Sequence, residues 1–166
     1  MKAVIILLAL NVALAAASEE KLLPIERQVA EAVEGPKTTV IHFWAPWCAN
    51  CYAELAHADG WSKFIGANPA VNFIFVTSWS AGQGDGRAIL AKRGVGPQKN
   101  FQLLLHPNDS IRESEKMTRF LDFPITWLPA TWVFRDGKLR YALNYGEVRF
   151  PVLQQLIKDT TEDWER

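Results

Sequence analysis

Hydrophobic and polar positions follow two patterns along this chain, and each pattern predicts one type of element. Runs rich in β-branched and aromatic residues predict buried strands, and apolar positions three or four residues apart predict helices. The predicted strands are 38–44, 71–77, 101–105, 130–135 and 138–144. The predicted helices are 20–33, 48–65 with Gly60 as a weak point, 85–93, 110–120, and a last one with Pro151 in its first turn.

The order of these elements predicts an α/β fold. Strands that alternate with helices form a parallel sheet, and the helices cover both of its faces. Asp136-Gly137, between the last two predicted strands, is a strong hairpin signal and adds an antiparallel edge. The expected architecture is therefore a central mixed sheet flanked by helices.

The first residues have the pattern of a secretory signal peptide. Lys2 gives a positive start, residues 3–17 are apolar apart from Asn11, and polar residues follow the small residues 15–17. This pattern predicts cleavage after Ala17, which leaves 18–166 as one domain. We expect a periplasmic or otherwise extracytoplasmic protein, or a membrane-anchored one if the segment is not cleaved.

Composition and charge exclude some classes of function. The chain has 166 residues, of which 49% are hydrophobic and 22% are charged, typical of a globular domain. Lysine plus arginine equals aspartate plus glutamate, at 18 each, so the formal net charge is zero. A nucleic-acid partner is not expected, because such proteins carry a positive excess.

The cysteine pair is the strongest chemical signal in the sequence. The chain has two cysteines, Cys48 and Cys51, three positions apart. A disulfide between them closes almost no loop and so contributes little stability. An exported protein that depends on disulfides for stability spreads its cysteines widely along the chain. Redox chemistry explains this pair better, and no cofactor beyond the redox-active disulfide is expected.

The predicted helix places the two thiols in different roles. Cys48 falls at the helix N-terminus, where unpaired N–H groups and the helix dipole favour a thiolate, the attacking species in exchange. Cys51 lies one turn further and should be the more buried thiol that resolves a mixed disulfide. Pro46 and Trp47 hold the turn that presents Cys48.

A CxxC pair also occurs in metal sites, so metal binding has to be weighed. Zinc needs two more ligands, and His42, His57 and His106 are scattered along the sequence. We therefore expect no metal, although a copper site formed by both cysteines and one histidine stays open as an alternative.

Residues 40–51, VIHFWAPWCANC, closely resemble the active-site strand and turn of thioredoxins. The rest of the chain resembles the TlpA/ResA-type periplasmic thiol-disulfide oxidoreductases. Three features carry this resemblance: a glutamate three positions after Cys51, an extra helix and strand within 73–105, and the segment 128–138, LPATWVFRDGK. The resemblance covers roughly residues 36–158.

The resemblance implies a thioredoxin fold with an inserted helix-strand segment. It also implies a cis peptide bond before Pro129, which would lie against Cys48 and leave the backbone of Leu128 to bind an extended substrate. Glu54 is a candidate for proton transfer, or else a solvated charge on the helix surface. His42 replaces the buried acid of thioredoxins, either as a strand histidine satisfied by hydrogen bonds or as a proton acceptor beneath Cys51. Ala56 replaces a common proline, which predicts a straighter helix.

The function that this resemblance implies is protein thiol-disulfide exchange outside the cytoplasm. The uncharged Ala49-Asn50 pair favours a reductase over a strong oxidant. Expected partners are exported proteins with thiols or disulfides, for example in cytochrome c maturation, and a membrane thiol-disulfide electron carrier. A thiol peroxidase is a second alternative, but it needs threonine or serine where this chain has Ala45.

Overall fold

A computed structural model describes residues 22–56, 60–107, 112, 114, 116–144 and 148–162. The predicted signal peptide, residues 1–17, lies outside this range. Among the described residues, no helix is both long enough and apolar enough to cross a membrane.

The elements follow the predicted alternation of helices and strands. The described helices are α1 (Pro24–Glu34), α2 (Ala49–Leu55), α3 (Trp61–Ala67), α4 (Arg87–Lys92) and α5 (Phe150–Asp159). The described strands are β1 (Thr39–Trp44), β2 (Asn72–Thr77), β3 (Phe101–Leu105), β4 (Arg119–Phe120), β5 (Phe123–Pro124), β6 (Ala130–Arg135) and β7 (Lys138–Asn144).

Five strands form one mixed sheet in the order β3-β2-β1-β6-β7. β1, β2 and β3 are parallel, whereas β6 is antiparallel to β1 and to β7. The hairpin between β6 and β7 turns at Asp136 and Gly137, whose φ values are 50° and 71°. The expected thioredoxin fold is confirmed, and α4 and β3 lie within residues 73–105, where the inserted helix and strand are expected.

Side chains of β1 alternate between two hydrophobic layers, as the two-residue period of a strand requires. Val40 and Trp44 pack with α2, α3 and α5 in one layer, which also contains both cysteines. Ile41 and Phe43 pack on the other face with α1 and with the segment around Phe120. Because both faces are covered, all six residues of β1 are buried.

Two predicted helices are wrong over much of their extent, and α1 begins at Pro24, later than its predicted start at residue 20. The helix expected over 48–65 is two helices: α2 ends at Leu55 with Ala56 as its C-cap, and α3 begins after Gly60. Absence of a proline at position 56 therefore does not give one straight helix. The helix expected over 110–120 does not reach its predicted end, because Arg119–Phe120 pairs with Phe123–Pro124 as a short antiparallel ladder. The predicted start of that helix, at Ser110, lies outside the described residues.

Candidate active site

The turn between β1 and α2 presents Cys48 at the start of the helix. The backbone N–H of Cys48 donates to the carbonyl of Ala45 at 3.1 Å, which closes the turn. The hydroxyl of Tyr52 donates to the carbonyl of Pro46 at 2.8 Å and fixes the turn from the helix side. Cys48 is the N-cap of α2, as the sequence predicts.

Cys48 and Cys51 are joined by a disulfide, with their Cα atoms 5.2 Å apart. The backbone N–H of Cys51 donates to Sγ of Cys48 at 3.1 Å. This donor is one of the N–H groups that a helix start leaves unpaired, and it favours negative charge on that sulfur after reduction. Cys51 is fully buried, whereas Cys48 keeps 5% of its surface exposed. Cys48 is thus less exposed than the sequence suggests, although it is the more accessible of the two cysteines.

The backbone of Leu128 lies directly beside Cys48. Its carbonyl oxygen is 3.7 Å from Sγ of Cys48. The peptide bond between Leu128 and Pro129 is cis, as the family resemblance implies. The structure therefore brings together residues that are 80 positions apart in the sequence.

Trp47 is held in a fixed orientation next to the disulfide. Its indole N–H donates to the carbonyl of Trp79 at 2.7 Å, and the two rings meet edge to face with centroids 4.8 Å apart. Trp47 nevertheless leaves 37% of its surface exposed. Its ring is thus both ordered and available for contact.

A cavity of about 320 Å³ opens beside Cys48. It is lined by residues from four parts of the chain: Trp47, Cys48, Ala49, Asn50, Ser78, Trp79, Lys116, Met117, Ile125, Thr126, Trp127 and Leu128. Cys48 is therefore not sealed off from a docking surface, despite its low exposure.

Sequence reasoning missed several residues of this cavity, most notably Trp79 and Trp127. A signal for Trp79 exists, because residues that follow neighbouring parallel strands meet at one sheet edge. The N–H of Ser78, after β2, indeed donates to the carbonyl of Trp44, at the end of β1, at 2.9 Å. Trp127 had a weaker signal, since it precedes Leu128 by one position.

Glu54 lies on α2, one turn after Cys51. The residue is half-buried, and both of its carboxylate oxygens are buried. This burial disagrees with the alternative that Glu54 is a solvated surface charge. Its role in proton transfer stays a prediction.

His42 is completely buried in β1. Its Nδ1 lies 2.9 Å from Oγ1 of Thr131, and its ring packs between those of Trp61 and Phe75 at centroid distances of 4.7 and 4.6 Å. Burial in these apolar surroundings lowers the pKa of His42 from 6.5 to about 3. The imidazole is therefore neutral at physiological pH.

Metal ligands do not converge in the described part of the chain. No group of three or more histidine, cysteine, aspartate or glutamate side chains there could hold an ion. His57, one of the histidines weighed for a copper site, lies outside the described residues. His42 is engaged with Thr131 and buried between two aromatic rings.

Comparison with known proteins gives a consistent result. No protein-family model matches the chain. The soluble secreted antigen MPT53 of Mycobacterium tuberculosis is 28% identical over 109 residues, which are 65% of this chain and 54% of that protein. This chain therefore matches about half the length of that relative.

Solved structures extend the similarity to most of the fold. A secreted Mycobacterium tuberculosis disulfide oxidoreductase homologous to E. coli DsbE superposes with a TM-score of 0.55 at 25% identity, covering 77% of this chain and 85% of that one. MTB DsbF, solved in mixed oxidized and reduced forms, gives 0.53 at 22% identity, covering 76% and 82%. By its fold and by these similarities, this chain is a member of the thioredoxin-like superfamily.

Proposed function

We propose that this protein is an extracytoplasmic protein thiol-disulfide oxidoreductase that works through Cys48 and Cys51. The observation that carries the proposal is the position of the disulfide. It caps the start of α2, and its outer sulfur borders an open cavity beside the carbonyl of Leu128. A structural disulfide gains nothing from this position, whereas a reactive one needs both the helix start and the access.

The reaction has two exchange steps. In the reductive direction, the Cys48 thiolate attacks one sulfur of a substrate disulfide, a mixed disulfide forms, and the other substrate sulfur leaves as a thiolate. The Cys51 thiolate then attacks Sγ of Cys48 and releases the second substrate thiolate. Two electrons pass from the protein dithiol to the substrate disulfide, and the Cys48–Cys51 disulfide remains.

The other site residues have proposed roles in this exchange. Trp47 and the backbone of Leu128 would position the substrate segment, since they flank Cys48. Pro129, which follows Leu128 through a cis peptide bond, would act with them. Glu54 would accept the proton of Cys51, because a buried carboxylate one helical turn away is the kind of base that such a step needs.

The direction of electron transfer, the compartment and the partners are inferred from the sequence and from the similar proteins. Ala49-Asn50 carries no positive charge to stabilise the thiolate further, which favours a reductase. The similar proteins named above include a secreted antigen and a secreted disulfide oxidoreductase homologous to DsbE. We therefore infer that this protein also works outside the cytoplasm, on exported substrates such as apo-cytochrome c. A membrane thiol carrier would restore its dithiol.

Trapping of the mixed disulfide tests the mechanism. In Cys51→Ala the first step is retained and the second is removed, so covalent complexes through Cys48 should accumulate with a disulfide-bonded model protein. Cys48→Ala is the matched control and should form none, because Cys51 is buried. If Cys51→Ala forms no complex while the wild-type protein reduces the same substrate, the mechanism is wrong.

The reduction potential of the Cys48–Cys51 couple tests the direction. A reductase should have a potential near that of thioredoxin, about −270 mV, whereas a strong oxidant lies near about −120 mV. Equilibration with glutathione, followed by quantification of both redox states, measures this value. A potential in the oxidant range would contradict the proposed direction but not the exchange chemistry.

A further inference from the structure

Three tryptophans from distant parts of the sequence lie around one cavity beside the disulfide. Trp47, Trp79 and Trp127 all line the cavity that Cys48 borders, and we call this surface the aromatic groove. Met117 and Ile125, both nearly fully buried, also line it. Its surroundings are therefore mainly apolar.

Two of the three tryptophans remain exposed, which indicates that the groove binds a partner. Trp127 leaves 66% of its surface exposed and Trp47 leaves 37%, while Trp79 is buried beneath Trp47. Exposed tryptophans placed around a cavity are typical of interaction surfaces, where aromatic residues supply much of the binding energy. Because its hydrogen bond to Trp79 orders Trp47, little conformational entropy is lost when a partner covers it.

The position of Cys48 indicates that the substrate segment itself binds in the groove. A protein segment that forms a mixed disulfide with Cys48 must place its cysteine at the groove, so its neighbouring side chains lie along the same walls. Successive residues of an extended segment are about 3.3 Å apart, so the residues next to that cysteine are within reach of the tryptophans. No separate partner is needed to explain the surface.

The charge of the lining residues indicates which side chains of the substrate segment the groove favours. None of the described lining residues is acidic, so a cationic side chain of the substrate finds no carboxylate partner among them. An ammonium or guanidinium group next to the substrate cysteine would lose water against apolar walls, which is unfavourable. Large apolar side chains gain most from the same surroundings.

We propose that the aromatic groove selects protein substrates whose reactive cysteine is flanked by large apolar side chains. This inference rests on the proposed function and adds a substrate class to it. Trp127 is the principal specificity residue, since it has the largest exposed surface of the three tryptophans. Contact with the substrate is made in the attacking complex, so selectivity appears in kcat/KM.

Three symmetric peptide disulfides test the inference on the reduced, desalted protein. Each is a dimer of a short peptide joined through its cysteine, which is flanked on both sides by phenylalanine, alanine or lysine. Because each dimer is symmetric, attack on either sulfur gives the same products, and release of peptide thiol in a single turnover gives the second-order rate constant, which corresponds to kcat/KM. We expect the phenylalanine dimer to react about 10-fold faster than the alanine dimer, from burial of one large side chain, and the lysine dimer to be slowest.

Trp127→Ala should reduce the phenylalanine-to-alanine rate ratio to about 2, because most of the apolar contact is lost. The ratio is the readout, since a general change in thiol reactivity cancels in it. Val152→Ala on α5 is the matched control, because Val152 is also an exposed apolar residue but does not line the groove, and it should keep the wild-type ratio.

The two proposals fail in different ways. If the reduced wild-type protein reduces none of the dimers, the proposed function is wrong and the substrate class falls with it. If it reduces all three at equal rates, or the lysine dimer fastest, the exchange chemistry stands and the selectivity is wrong. An unchanged ratio in Trp127→Ala would contradict the role given to Trp127.

Discussion

The indole nitrogen of Trp47 donates a hydrogen bond of 2.7 Å to the backbone carbonyl of Trp79. This bond joins the turn before α2 to the segment after β2, which are two parts of the chain that meet at one edge of the sheet. The turn that carries Cys48 is therefore anchored from outside the helix as well as by its own backbone.

Replacing Trp47 with phenylalanine tests this anchor. The ring remains but the N–H donor is lost, so the free energy of unfolding of the oxidised protein should fall by about 1 kcal/mol, the usual net value of a hydrogen bond. Urea denaturation measures it. Trp127→Phe is the control, because Trp127 is 66% exposed, and its effect should stay within about 0.5 kcal/mol. Equal effects in both variants would contradict an anchoring role for the bond.

Position 86 requires a glycine for two reasons: the ring of Trp44 leaves no room for a side chain, and the backbone φ is positive. A Cβ at Gly86 would overlap Cη2 of the buried Trp44 ring, and the φ of Gly86 is +73°. Gly84 has the same φ, but a Cβ there would meet nothing within 4 Å. The pair therefore separates backbone strain from steric overlap.

Gly84→Ala should lower the free energy of unfolding by about 1 kcal/mol through left-handed backbone strain alone. Gly86→Ala should lower it by about 3 kcal/mol, because overpacking against Trp44 adds to the same strain. Thermal or urea unfolding of both variants measures the difference. If the two variants are equally destabilised, the contact with Trp44 does not matter.

His42 makes stability depend on pH. Its pKa is about 3 in the folded protein because it is buried, and about 6.5 when it is exposed in the unfolded chain. The unfolded state therefore binds more protons below pH 6.5, so stability is fully present above that pH and decreases as the pH falls toward 3. Between pH 7 and pH 5 this contribution amounts to about 2 kcal/mol.

His42→Phe removes the titration while it keeps a ring between Trp61 and Phe75. Urea unfolding at pH 7 and pH 5 measures the free energy of unfolding of both proteins. The wild-type value should fall by about 2 kcal/mol more than that of the variant between pH 7 and pH 5. His106, whose pKa burial also lowers, is present in both proteins and cancels in the comparison. Parallel pH profiles would show that His42 does not titrate as described.

Glu54→Gln tests the proposed proton acceptor. Loss of the base should slow the attack of Cys51 on the mixed disulfide by about 10-fold or more at pH 7. At pH 9 the higher hydroxide concentration makes proton removal less dependent on a protein base, so the difference should shrink. Quenched-flow measurement of the decay of the mixed disulfide provides the rate.

Glu31→Gln is the control for this experiment, because Glu31 is an exposed carboxylate on α1, which packs on the opposite face of the sheet. It should match the wild-type rate at both pH values. A pH-independent loss in Glu54→Gln would indicate a structural effect rather than proton transfer.

Much of the fold was predictable because its signals are local. Strand β3 has its predicted bounds, the turn at Asp136 has its predicted place, and α5 begins with Pro151 in its first turn. β-branched runs, turn dipeptides and N-terminal prolines act over a few residues, so they can be read without the rest of the molecule. The segment near Phe120 could not be read this way, because a two-residue ladder has almost no local signal and depends on the partner that it meets.

The sequence by itself determined the chemistry of this protein: two cysteines three positions apart, at the start of a predicted helix after a buried strand. Helix capping is a local property, so the position of Cys48 follows from the residues around it. Only the tertiary structure decided what surrounds that sulfur. Trp79 and Trp127 line the same cavity as Cys48, and the carbonyl of Leu128 lies beside its sulfur, because the fold brings these segments together. Contacts between segments this far apart in the chain leave no periodic pattern in a single sequence.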